Sequence, residues 1–199
     1  IGSGFGQVFY DQLLLHELGH QFGMNHSYNS VIPVCTTRNP GTSAEPGSGA
    51  TIMSYGFTCN NTNSATGPVG DDDYPTSNPG QTGPFLNFHT VNFIEAEALI
   101  AGTANCFVGT ATGNTAPVVT MPSGFTIPKS TPFSLTGSAT DSDSDPLTYS
   151  WEGTNVGTST PTPTTLANTA QPPFFRSYEP STSPTRTFPA LSSILDGTN

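Results

Sequence analysis

The chain has 199 residues, of which 9% are charged, with 4 Lys+Arg against 14 Asp+Glu and a formal charge of -10. That balance argues against nucleic acid and anionic membrane surfaces as partners, since both select for basic patches. No apolar run reaches the ~18 residues of a membrane-spanning helix. With 21 Gly and 19 Pro the chain is expected to be loop- or β-rich, while 13 Phe, 6 Tyr and 1 Trp supply material for a core.

The chain opens on Ile1 rather than Met and shows no signal peptide, which reads as a mature or excised piece of a longer precursor. Low lysine and turn-rich composition fit a secreted protein. Cys35, Cys59 and Cys106 are an odd number. In an extracellular protein one thiol is then left over or paired with a cysteine not in this chain; in a reducing compartment all three are buried thiols.

The first predicted element is a helix over "YDQLLLHELGHQFG", Tyr10 to Gly23, with Asp11 as its N-cap. Leu14, Leu15, Leu18 and Phe22 share one side at helical spacing, and His16, Glu17 and His20 fall on the other. Gly23 sits where the helix would end in a left-handed turn. From Asn25 to about Asn87 the chain reads mostly as loop. A second helix is predicted in "NFHTVNFIEAEALIAG", with Asn87 or Thr90 as its cap and Gly102 as its stop.

"VGTATGNTAP", Val108 to Pro117, is a linker by composition. Beyond it the period changes to two. "FSLTGSA" and "LTYSW" read as strands that turn Phe133, Leu135, Leu147, Tyr149 and Trp151 inward, joined by the turn "TDSDSDP". This is the pattern of a small β-sandwich module. Asp141, Asp143 and Asp145 alternate in that turn; they offer hard oxygen ligands to calcium or form an acidic solvated turn. Asp71–Asp73 reads as a solvated loop.

The chemistry concentrates in "HELGHQFGMNH", His16 to His26. Residues i and i+4 lie on one helix face, so His16 and His20 can aim imidazole nitrogens at one point. Neutral imidazole suits zinc. Glu17 would lie beside the metal without occupying it, the place for a general base acting on metal-bound water. After the turn at Gly23, His26 returns as a third ligand. Three protein ligands leave a position open, as in catalytic rather than structural zinc sites. The bland reading is a helix with a polar face and no metal. It would have to produce five fixed positions by chance.

The whole pattern, His-Glu-x-x-His-x-x-Gly-x-x-His, resembles the extended zinc signature of the metzincin metalloproteases. "TIMSY", Thr51 to Tyr55, resembles the methionine-bearing turn found beneath the zinc in that clan, with Met53 as its methionine. The resemblance makes Tyr55 a candidate to reach the zinc or stabilise the oxyanion. Ser27 after the third histidine resembles matrixins, yet "EPGSGATIMSYGFTCN" and "NFHTVNFIEA" look most like secreted bacterial reprolysin-like peptidases. The resemblance spans about residues 8–108. It implies that 88–101 wall a substrate pocket, with His89 read as a helix-start histidine rather than a fourth ligand. It also implies a Cys35–Cys59 bridge, with Cys106 pairing to a cysteine upstream. The tail, through "ATDSDSDPLTYSW", resembles Ig-like or PKD-type modules.

The expected fold class is α+β: the C-terminal part of a metzincin (zincin-like) catalytic domain at 1–108, a linker at 109–116, and a small, incomplete β-sandwich at 117–199. Metzincins place a sheet in front of the zinc helix; that part is not in this chain, which leaves Leu14, Leu15, Leu18 and Phe22 with nothing obvious to pack on. The expected function is a secreted zinc endopeptidase with Glu17 as general base, Zn2+ as cofactor, Ca2+ as a second candidate ion and peptides or proteins as substrates. The upstream part of the same precursor is its expected partner. The rival is a surface adhesion or binding protein carrying a degenerate protease domain.

Overall fold

The computed structural model describes residues 7–29, 37–47, 49–54, 85–102, 108–157, 172–189 and 191–196. Its contacts divide the chain into two units: Ile1–Phe107 with Glu152–Glu179, and Val108–Trp151 with Pro180–Asn199. The segment Glu152–Glu179 thus belongs with the first unit, although it follows the predicted module strands in sequence.

In the first unit, helix α1 runs from Gln7 to Gln21. It starts earlier than predicted, so Asp11 lies within the helix and is not its N-cap. Nothing in "QVFY" breaks a helix, and the turn before the predicted cap is absorbed into it. The helix ends in a Schellman turn: Gly23 N–H donates to His20 O (3.1 Å) and Met24 N–H to Gly19 O (3.0 Å). Gly23 has φ +79° there, and a Cβ would also press on Leu99 at 3.3 Å. Helix α2 spans Thr90–Gly102.

The caps of α2 differ from those predicted. Thr90 is already helical, and the cap is His89, whose Nδ1 accepts the Val91 N–H at 3.2 Å. Glu152, 62 residues along the chain, accepts from both Thr90 N–H (2.7 Å) and Thr90 Oγ1 (2.8 Å). A local histidine and a long-range carboxylate thus take the place of an Asn or Thr cap, each satisfying one first-turn N–H that the helix itself leaves open.

Among the described residues the apolar cluster is Met24, Ile52, Met53 and Ala96, with Leu15 and Phe88 packed against them. It joins α1, the 51–54 turn and α2. Of the side of α1 read as apolar, Leu15 packs on this core, while Leu14, Leu18 and Phe22 are 62%, 44% and 49% exposed. The side read as polar carries the buried ring of His16.

The second unit holds two antiparallel two-stranded ladders. β1 (Val118–Thr120) pairs with β3 (Ser138–Thr140), and β2 (Phe133–Thr136) pairs with β4 (Thr185–Phe188). The predicted strand "FSLTGSA" is therefore split at Gly137, whose N–H donates to Pro184 O at 3.1 Å. Tyr149 makes only an isolated bridge to Ser181, so "LTYSW" is not a ladder strand. Pro180 and Pro184 flank Ser181 and cannot donate to a longer ladder. The predicted inward residues Phe133, Leu135, Leu147, Tyr149 and Trp151 are each half-buried, the first four between exposed neighbours. Phe188 is the one buried residue among those described in this unit; it stacks on Phe133 (ring centroids 5.0 Å) and carries the Arg186 guanidinium at 4.6 Å. A short helix α3, Leu191–Asp196, follows.

Candidate metal centre

His16 and His20 project from α1, and the Schellman turn brings His26 back beside them. One ring nitrogen from each lies within 4.8 Å of the other two. Ring centroids are 4.8 Å (His16–His20), 4.9 Å (His20–His26) and 5.2 Å (His16–His26) apart. Among the described residues this is the only such group of His, Cys, Asp or Glu.

Each ring is oriented by a backbone carbonyl. His16 Nδ1 donates to Ile52 O (2.7 Å), His20 Nδ1 to Met24 O (2.8 Å) and His26 Nδ1 to Thr37 O (2.9 Å). Donation from Nδ1 places the lone pair of the neutral ring on Nε2. This is how metal-binding histidines are usually held. The Nε2 atoms of His16 and His26 are 3.3 Å apart. With both Nδ1 atoms protonated, that approach brings two lone pairs together, which a cation relieves and a hydrogen bond does not explain. Two nitrogens at zinc–nitrogen bond length and near-tetrahedral angle are separated by ~3.3 Å. That pair therefore has the spacing of two zinc ligands, and the three-histidine group as a whole could hold a metal ion.

Burial pushes the pKa of His16 and of His26 below the ordinary histidine value, partly opposed by the hydrogen bonds to Ile52 O and Thr37 O. Both rings thus stay neutral, the ligating form, to lower pH than a solvated histidine. The charge of Glu17 acts upward on both, the weakest of the influences on each ring. Glu17 itself is exposed.

Met53 is fully buried, directly after the residue whose carbonyl holds His16. Its sulfur lies against Gly19, in the helix between His16 and His20. A Cβ on Gly19 would overlap that sulfur and press on Phe88 (3.2 Å) and the Met24 sulfur (3.3 Å). A glycine inside a helix normally costs stability, so the Gly in "HELGH" was the signal for this close approach.

Other supporting residues carried no such signal. Glu45 is fully buried and accepts from Ser27 Oγ (2.6 Å), Thr51 Oγ1, and the N–H groups of Ala50 (2.6 Å) and Thr51 (3.1 Å). It ties the segment after His26 to the turn beneath His16. Tyr28 stacks on His26 (centroids 5.3 Å) and bonds Thr37 Oγ1 at 2.8 Å. Arg38, next to Thr37, donates to Asn29 Oδ1 (2.8 Å), Ser43 Oγ (2.8 Å) and Gly157 O. Only the scarcity of charge in this chain would have drawn attention to Glu45 and Arg38.

The remaining predicted residues lie elsewhere. His89 is buried at the start of α2, with Nε2 3.8 Å from Glu152 Oε2, and it is not in the three-histidine group. Asp141, Asp143 and Asp145 form no converging ligand group. Asp141 Oδ1 instead accepts from the N–H groups of Asp143 (2.8 Å) and Asp145 (3.3 Å), and Asp143 Oδ2 from Thr115 N–H (2.6 Å). Tyr55, Cys35, Cys59 and Cys106 lie outside the described residues.

Residues 7–67 match the model of Reprolysin_2, the reprolysin-like metallo-peptidase family M12B. The match covers just under a third of the chain and contains the three histidines, Glu17 and Met53. It supports a metallopeptidase, and M12 metallopeptidases use zinc. No curated protein and no solved structure matches the chain. A metallopeptidase acts on peptide or protein substrates, and no helix among the described residues is long and apolar enough to cross a membrane.

Proposed function

We propose that the chain carries the zinc centre of a secreted, metzincin-type endopeptidase of reprolysin-like kind. The observation that supports this best is the convergence of His16, His20 and His26, each with Nδ1 donating to a backbone carbonyl. In this reading the three Nε2 atoms hold zinc, and Met53 forms the floor of the site. Bound zinc supplies Lewis acidity toward the scissile carbonyl and toward water. Glu17, exposed beside the cluster, takes a proton from the attacking water at its carboxylate and hands it to the leaving amide nitrogen. Tyr55, two residues after Met53, is proposed to steady the developing oxyanion.

The test is Glu17→Gln. The variant should bind zinc as the parent does and lose cleavage of a casein substrate by several orders of magnitude, with its unfolding temperature unchanged because Glu17 is exposed. Retained caseinolysis in that variant would falsify the mechanism.

A further inference from the structure

The turn between the second and third histidines is held from several directions. On the α1 side, Met24 N–H donates to Gly19 O (3.0 Å) and His20 Nδ1 donates to Met24 O (2.8 Å). After the turn, Thr42 Oγ1 donates to His26 O at 2.7 Å. Both backbone groups of the residue between, Asn25, are taken by side chains of α2. Asn25 N–H donates to Glu95 Oε2 at 2.8 Å, and Asn92 Nδ2 donates to Asn25 O at 2.8 Å. The Asn25 side-chain amide donates to the other carboxylate oxygen, Glu95 Oε1, at 2.5 Å. Asn92 Nδ2 also reaches Glu95 Oε2 at 3.2 Å, bracing it. Asn92 and Glu95 are three residues apart and share a helix face.

We propose that Glu95, supported by Asn92, is a positioning residue for the zinc site, acting through the backbone of Asn25. This rests on the zinc reading above. The residue before Asn25 offers the carbonyl that orients His20, and the residue after it is His26. Moving Asn25 therefore moves two of the three ligands, while His16 stays tied to Ile52 O. A carboxylate that grips an N–H and an amide together is the stronger, more directional kind of hold. Its reach, 70 residues in sequence, makes the ligand geometry depend on α2.

The test uses the full chain, stripped of zinc, as parent, Glu95→Ala and Glu95→Gln. Zinc affinity is read by chelator competition, ligand geometry by the visible spectrum of the cobalt(II) form, and stability by thermal unfolding of the zinc-free form. Glu95→Ala should weaken zinc about 10–100-fold, the usual effect of losing a group that orients metal ligands. It should also shift the cobalt bands, with little change in zinc-free stability. Glu95→Gln keeps an oxygen for the Asn25 N–H and should recover part of the loss. Parent-like affinity and cobalt bands in Glu95→Ala overturn the proposal. So does lower zinc-free stability at parent-like affinity, which assigns Glu95 to bracing alone. If Glu95→Ala does not fold, parent-like affinity and bands in Glu95→Gln overturn it. A parent chain that binds no zinc overturns the zinc reading itself, and this proposal with it.

Discussion

The two units of this chain are ordered in different ways. Around the histidines, the buried residues from Thr42 to Ser54 are mostly small, and the largest polar one, Glu45, is fully enclosed by donors. The second unit has two short ladders and, among its described residues, only Phe188 buried. The first unit is therefore specified by a polar network built into a modest apolar core, and the second by strand pairing and one aromatic cluster. A satisfied buried network fixes a unique geometry, because each missing partner leaves a desolvated group behind. A metal site needs that kind of order more than a ladder does.

The contrast can be broken by substitution. The largest effect is expected at Glu45→Gln, which keeps the shape but replaces one acceptor oxygen with an amide NH2 donor that faces groups donating to Glu45. Unsatisfied buried donors cost about 1–3 kcal/mol each, so urea unfolding should show a loss of roughly 3 kcal/mol or more, with weaker zinc binding. An unchanged denaturation midpoint would mean the network does not order the site. Gly19→Ala should cost about 1–3 kcal/mol by overpacking against Met53. It should also disturb zinc, although alanine is the better helix former; a stabilised variant would contradict the close packing. Phe188→Ala should cost about 1.5 kcal/mol, the low end for a Phe side chain. Faster hydrogen exchange in β2 and β4 at unchanged zinc affinity is the expected outcome, and a lost zinc site would erase the contrast between the units.

What the sequence made legible follows the range of the interactions. The helical spacing of His16 and His20, and the glycine that turns the chain back at residue 23, are local features. So is the alternation at Phe133–Leu135 and Leu147–Trp151, which survives as alternating burial. The start of α1 was misplaced because Asp11 is a good cap that the helix runs through. The pairing of β2 with Thr185–Phe188 was not legible, since its partner lies some fifty residues away in a stretch rich in Thr, Pro and Ser. The carbonyls of Ile52, Met24 and Thr37 were invisible for a simpler reason: every residue has a carbonyl. Glu45, Glu95, Arg38 and Glu152 act across distances of 5 to 119 residues, and no spacing rule reaches them.

The central claim is that three imidazoles hold one zinc. It is tested most directly by equilibrium dialysis of the full chain against zinc, beside His20→Ala, a partly exposed position where truncation spares the core. The parent chain should bind one zinc, and the variant should lose binding by several orders of magnitude. A parent chain without zinc, or a variant that binds it equally tightly, would contradict the account.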